Sequence, residues 1–384
     1  MRIFLSAGEA SGDLLGGNLM RELNRLRPGI EYSGLGGPTM EAAGLRNHRD
    51  LTQEGIMGIL PVIKAAPDLI RLIREVGRLF DEIRPDAFVP IDYPGLNFVL
   101  SKMARRRGIP VIFYVSPQLW AWGQWRARKV RRRVDRMLVI LPFEEEFFAA
   151  RGVTTRYVGH PLVDRLTGVT DPDDVIAEIR AGSDRVLGLL PGSRLQEVRH
   201  LLPIMLRTAR TLVDRHPDLR VVLPAPPAGK ERGALIRELL ASDPQSPAEL
   251  ISDVPHGVMR HADSCLVASG TATAELAFLG TPMSILYQVS PTARFFARYL
   301  LRVPRIGMAN ILAGREAVPE FFFAEPPYEE IARATEGHLF DGPTRERTLA
   351  ELARVKEILG PPGASERAAR EVLDHLGESV ATAE

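Results

Sequence analysis

LIRLIREVGRLFDEIRPDAFVPID, residues 69–92, holds two periodicities in succession. Leu69, Ile73, Val76, Phe80 and Ile83 recur at three- and four-residue steps, the apolar stripe of an amphipathic helix. Ala87–Ile91 then runs apolar without alternation, the pattern of a strand covered on both faces. A helix followed by a doubly covered strand is half of a parallel crossover unit, and the same unit recurs on either side. Ile3–Leu5, Val111–Val115 and Met137–Leu141 are further buried strands, bounded by Gly, Pro or charged residues. Strands alternating with helices imply right-handed crossovers and a parallel sheet with helices on both faces.

The rhythm pauses in a polar stretch, Thr167–Asp174, and restarts with Val186–Leu190, Val221–Leu223, Leu266–Ala268 and Ser284–Leu286. The expectation is an α/β chain of two doubly wound, Rossmann-like domains, residues 1–165 and 166–360. Pro361-Pro362-Gly363 then breaks the chain before a last helix near Ala364–Leu376, and segment 361–384 is expected to pack back on the first domain. Two such domains facing each other leave a cleft at the carboxyl ends of their strands, where ligands of this architecture bind.

Composition narrows the classes. The chain has 384 residues, 45% hydrophobic and 25% charged, which excludes disordered, collagen-like and coiled-coil proteins. A net charge of +1 does not announce a nucleic-acid binder. The single cysteine, Cys265, lies in an apolar run and reads as a buried thiol in a reducing compartment. No stretch approaches the roughly 18–20 apolar residues of a spanning helix. Met1–Gly8 reads as a strand rather than a signal peptide. A soluble, cytoplasmic protein is expected, with attachment to a membrane surface left open.

Each strand end offers chemistry. After strand one comes Ser6-Ala7-Gly8-Glu9-Ala10-Ser11-Gly12-Asp13, whose two glycines permit a tight turn and close ligand approach. It is neither G-x-G-x-x-G nor a P-loop, so neither NAD nor ATP is supported. Val186–Leu190 runs into Pro191-Gly192-Ser193-Arg194, and Leu266–Ala268 into Ser269-Gly270-Thr271, each before a helix. Free N–H groups at a helix start suit an anion, and Arg194 can add a bidentate contact. Glu275, one turn on, can accept hydrogen bonds from ribose hydroxyls. Together the two motifs favour a nucleotide diphosphate. The plainer alternative has Ser269 capping its helix and Arg194 pairing with Glu197.

Asp92 stands at the end of Ala87–Ile91 and can serve as general base for a sugar hydroxyl; the alternative is a cap on a helix from Asn97 onward. Tyr114–Trp122 looks like a binding loop, because two tryptophans so close in a loop are hard to bury for packing alone. His160 ends the last strand of the first domain. The histidines show no metal spacing, and His256 and His261 have no accompanying acids in sequence, so no metal is expected. Arg126–Arg136 carries seven basic residues in eleven, with Arg105–Arg107 just before. Such runs suit a solvated face, RNA or anionic lipid, and Ile56–Ile73 can supply an apolar patch.

The strings SAGEASGD (6–13), IDYPGLN (91–97), YVSPQLWAW (114–122), GHPL (159–162), LLPGSR (189–194), ASGTATAELAFLGTPM (268–283) and NILAGREAVPE (310–320) resemble the lipid-A-disaccharide synthases. The resemblance implies a GT-B glycosyltransferase without a cofactor, peripheral on the cytoplasmic face of the inner membrane. The implied donor is UDP-2,3-diacylglucosamine and the acceptor 2,3-diacylglucosamine 1-phosphate (lipid X). The products are then UDP and the β-1,6-linked disaccharide 1-phosphate. It implies Asp92, Glu9 and His160 as catalytic, and Gly192, Ser193, Arg194, Ser269, Gly270, Thr271 and Glu275 at UDP. Gly8, Ser11, Asn97, Gln118, Trp120 and Asn310 are implied at the acceptor or lipid. An anionic membrane surface is an expected partner, nucleic acid is not, and a homodimer stays open. One departure is Tyr93-Pro94-Gly95, where the family often has Ala-Pro-Asp. The competing readings are a UDP-GlcNAc 2-epimerase, an undecaprenyl-linked GlcNAc transferase, a silent nucleotide-sugar or lipid scaffold, and an RNA-binding protein.

Overall fold

The computed structural model describes residues 1–51, 66–121, 123–225, 231–251, 255–290 and 305–377. The chain divides into two compact units, Met1–Asp164 with Pro361–Glu384, and Arg165–Gly360. In the first, strands β1 (Arg2–Ala7), β2 (Glu31–Gly36), β3 (Leu45–Asp50), β4 (Ala87–Ile91), β5 (Ile112–Tyr114), β6 (Arg136–Val139) and β7 (Thr155–Tyr157) form one sheet. Its order is β3-β2-β1-β4-β5-β6-β7, and every pairing is parallel. In the second, β8 (Val186–Leu190), β9 (Arg220–Pro224), β10 (Ala248–Ile251), β11 (Ser264–Ala268), β12 (Met283–Gln288) and β13 (Glu320–Phe323) run in the order β10-β9-β8-β11-β12-β13. They too are all parallel.

Both sheets reverse their winding in the middle, between β1 and β4 in one and between β8 and β11 in the other. At such a switch point adjacent crossovers leave on opposite faces, so a crevice opens beyond the strand ends. The central strands β4, β8 and β11 are buried at every residue, which explains their unbroken apolar sequences. Strands β2, β3, β10 and β13 are not apolar in an unbroken run from end to end. Half-exposed strands such as β3, Leu45-Arg46-Asn47-His48-Arg49-Asp50, carry too few apolar residues to mark them.

The helix Ala66–Ile83 lays Leu72, Val76 and Phe80 against Phe4 and Phe88 of the sheet. Residues 52–65, and with them 56–65 of the expected apolar patch, lie outside the described residues. The last helix, Ala364–His375, belongs to the first unit. Its Ala368, Ala369, Val372 and Leu373 share a buried cluster with Leu19, Met20 and Leu23 of the helix Ala10–Leu26. Its start is capped by Asp164, whose carboxylate accepts from the backbone N–H groups of Gly363, Ala364 and Ser365 at 2.5, 3.1 and 3.0 Å.

Candidate functional site

In the first unit the switch point is occupied by the segments that follow β1 and β4. The backbone N–H of Asp92 still bonds the Tyr114 carbonyl at 2.9 Å, extending the ladder by one step. Asp92 and Tyr93 then both adopt φ 47°, two successive non-glycine residues in the left-handed region. Each costs on the order of 1–3 kcal/mol and persists only where surroundings enforce it. Asn97 does so. Its amide donates to the carbonyls of Asp92 (2.7 Å), Ile91 (3.2 Å) and Ser6 (3.3 Å), while its oxygen accepts from the Ser6 hydroxyl at 2.8 Å.

Tyr93 packs against Gly8, where a Cβ would stand 2.3 Å from the tyrosine ring. Glycine is therefore required at the end of β1 for the ring to sit as it does. The following helix begins at Pro94, with Tyr93 at its N-cap and no side-chain cap bond. Asp92 is therefore not the N-cap of that helix, and its half-buried carboxylate accepts from the Tyr93 N–H. Burial pushes that carboxyl above its ordinary range and the charge of Glu9 adds to the effect, against a bond from the Tyr93 N–H. Glu9 itself is the N-cap of the helix Ala10–Leu26 and half-buried, with exposed Ser11 beside it.

The neighbouring β5 is followed by Val115 at φ 68°, a left-handed β-branched residue. The loop beyond it is pinned by buried Glu144, which accepts from the Ser116 hydroxyl at 2.6 Å and the Trp120 indole N–H at 3.0 Å. Trp120 also meets Phe143 edge-on. Burial drives the Glu144 carboxyl upward, and these donors oppose it. Trp122 lies outside the described residues; Gln118 is the exposed side chain at the loop's tip. His160 accepts the Leu162 N–H on Nδ1 at 3.2 Å, at the start of the helix Pro161–Leu166.

Three residues expected at the acceptor are instead committed to the protein. Asn97 is fully buried in the clamp just described, and Trp120 is anchored on Glu144. Asn310 is fully buried, accepting from Ala317 and Val318 and donating to Val318 and Glu320. The residue types signalled polar contacts correctly, but a buried amide satisfies itself on backbone when it can, and sequence does not reveal its direction.

In the second unit, the segments after β8 and β11 share the switch point. Gly192 has φ 106°, and a Cβ there would fall 2.3 Å from Glu197 Oε2. That carboxylate accepts the N–H groups of Ser193 (3.1 Å) and Arg194 (3.2 Å), and the Arg194 guanidinium pairs with it at 3.2 Å. The loop's anion cradle is thus filled by Glu197, and the Arg194–Glu197 alternative is the one observed. Arg194 is 63% exposed, and a surface pair of this kind contributes about 0–1 kcal/mol, so its guanidinium is easily redirected. The helix Thr271–Leu279 has Gly270, not Ser269, as its N-cap. Gly270 and Thr271 are exposed, and the first N–H groups of a helix have no carbonyl within it.

Glu275 is buried, and its carboxylate is held by Arg165 and, at 3.4 Å, by His256. Burial alone would raise this carboxyl; His256 and Arg165 outweigh it and keep it below the usual range. The expectation that His256 and His261 lack acids is corrected here, since His261 meets Asp171 at 2.8 Å. Those acids come from distant sequence, so no local spacing announces them. Among the described residues no three His, Cys, Asp or Glu side chains group as a metal site. No described helix is long and apolar enough to cross a membrane.

A family model described as lipid-A-disaccharide synthetase matches residues 3–365. The chain belongs to the lipid-A-disaccharide synthase family. The synthase of Geobacter metallireducens is 40% identical over 380 residues, 98% of each chain. That of Geobacter sulfurreducens is 40% identical over 382 residues, 99% of this chain and 98% of the other. As a member of that family the chain is a glycosyltransferase of lipid A synthesis. Solved structures share the fold: MnaA of S. aureus with UDP aligns at TM-score 0.68 and 14% identity, covering 100% of this chain and 99% of that one. The UDP-GlcNAc 2-epimerase of Methanocaldococcus jannaschii aligns at 0.61 and 12%, covering 99% and 100%. A glycotransferase of kitacinnamycin aligns at 0.61 and 18%, covering 98% of each chain.

Proposed function

We propose that the chain is an inverting transferase that joins UDP-2,3-diacylglucosamine to 2,3-diacylglucosamine 1-phosphate, releasing UDP and the β-1,6-linked disaccharide 1-phosphate. The acceptor belongs to the first unit and the donor to the second. Asp92 takes the proton of the acceptor's 6-hydroxyl as that oxygen attacks the anomeric carbon. The bond to the diphosphate breaks on the opposite face, and Arg194 with the helix start at Gly270-Thr271 balances the departing charge. Glu275 accepts from the ribose. The observation that carries this reading is Asp92 itself, a half-buried carboxylate of raised basicity held in a strained turn at a switch point. A carboxylate with a raised pKa is a stronger base while ionised.

Both substrates carry acyl chains, so the protein works on the cytoplasmic face of the inner membrane. Support comes from exposed Arg128, Lys129, Arg131 and Arg132 beside Trp125, which is 70% exposed. Arg105, Arg107 and Arg136 are instead paired with Asp135, Asp81 and Glu371.

The test is mass spectrometry of products from the paired lipid substrates. Asp92→Asn should lower turnover about 10²–10⁴-fold with UDP affinity unchanged. A folded Asp92→Asn protein with near-normal turnover removes the base assignment, and UDP release without the disaccharide removes the transfer.

A further inference from the structure

Glu275 is engaged by two side chains, Arg165 and His256, that the proposed reaction does not use. Its side chain is 10% exposed, while those of Arg165 and His256 are 40% and 38% exposed. Arg165 donates to Oε1 and His256 meets Oε2 at 3.4 Å, so each oxygen has its own partner. A carboxylate offers about four lone-pair directions, so among the described residues one on each oxygen is left unused. With both oxygens held, the carboxylate plane is fixed. Glu275 follows Thr271 by one helical turn, about 6 Å along the axis. A diphosphate at the helix start therefore leaves a sugar ring at the level of Glu275.

We propose that Arg165 and His256 are positioning residues that fix the plane of the Glu275 carboxylate, so that its two unused lone pairs accept from the vicinal hydroxyls of a ribose. This rests on the reading that the second unit takes a nucleoside diphosphate sugar. It adds two residues remote in sequence and touching no substrate, and it assigns them to recognition of ribonucleotides over deoxyribonucleotides. A purely structural role, neutralising a buried acid, makes a different forecast: every ligand of the unit is weakened alike.

The discriminating probe is UDP against 2′-deoxy-UDP, measured by calorimetry on the full chain. The parent should prefer UDP by roughly 10- to 100-fold, the worth of a hydrogen bond to a charged acceptor. In Arg165→Met and His256→Asn that ratio should collapse toward unity through loss of UDP affinity, while 2′-deoxy-UDP binds about as before. Arg165→Lys, which keeps the charge, should restore part of the ratio. Equal weakening of both ligands, or an unchanged ratio in variants that unfold like the parent, overturns the proposal. Glu275→Ala separates the underlying reading: if it keeps the parental ratio, Glu275 does not contact the ribose at all. Parental protein that binds neither ligand defeats the donor assignment itself, and the proposal with it.

Discussion

Replacing Asn97 by alanine should loosen the turn that presents Asp92 without touching the carboxylate. The fully buried amide donates to three carbonyls and accepts one hydroxyl. Its two N–H groups and one oxygen amount to about three bonds, each contributing ~1 kcal/mol net. The Ser6 hydroxyl, equally buried, is left without its acceptor at a further cost of about 1–2 kcal/mol. The sum, about 4–5 kcal/mol, corresponds to a fall in Tm of roughly 8–20 °C for a domain of this size. Turnover should fall as well, since a misplacement near 1 Å can cost about 10²-fold in rate. UDP affinity should stay constant, because the second unit is untouched. Calorimetric unfolding, steady-state turnover and UDP titration read the three quantities separately. Asn97→Asp, which keeps the shape but faces the same carbonyls with acceptors, should be no milder. If Asn97→Ala unfolds within about 1 kcal/mol of the parent and turns over normally, the clamp is not what holds Asp92.

Arg194→Ala should weaken UDP binding by about 1.5–3 kcal/mol while leaving Tm nearly unchanged, because its present partnership is an exposed one; unaltered affinity in calorimetry refutes the phosphate contact. Since the Asp92 carboxyl is raised and the base must be ionised, kcat/KM should decline as pH falls through that raised value, and a profile flat down to the ordinary aspartate range removes Asp92 from the rate equation. Gly192→Ala combines a left-handed φ with a Cβ 2.3 Å from Glu197, so it should cost about 1–3 kcal/mol and weaken UDP; parental stability and affinity would show that the loop readily rebuilds. Co-sedimentation with anionic vesicles should decrease as salt rises, and substituting Arg128, Arg131 and Arg132 by Ser should abolish the effect; no binding at low salt excludes this surface.

What the sequence discloses here follows burial. Ala87–Ile91 and Val186–Leu190 are legible to the residue because both faces of each strand are covered, so nothing polar interrupts the run. Ala248–Ile251, with two of its four residues exposed, offers no such run. The place of Asp92 at a strand end is legible because a lone charge directly after an apolar run marks where the buried strand stops. The roles of Asn97 and Trp120 are not, because a polar atom in a loop faces ligand or backbone with the same letter. Arg165 and His256 are illegible for another reason. Arg165 and Glu275 are 110 positions apart, and only the fold makes them neighbours.

The clasp between Asp164 and the helix Ala364–His375 bears on how the chain is made. A ribosome delivers the first 164 residues early, yet the partners of Leu19, Met20 and Leu23 are among the last to emerge. Roughly 200 residues separate the two parts, a delay on the order of 10–40 s at ordinary synthesis rates. During that interval the first sheet has one helix face uncovered, and the amino-terminal half waits for its own lid while the other half folds ahead of it. Premature termination anywhere in the second unit therefore strands the first one with a sticky surface. Protein quality control should meet such fragments as aggregation-prone clients rather than as stable half-molecules.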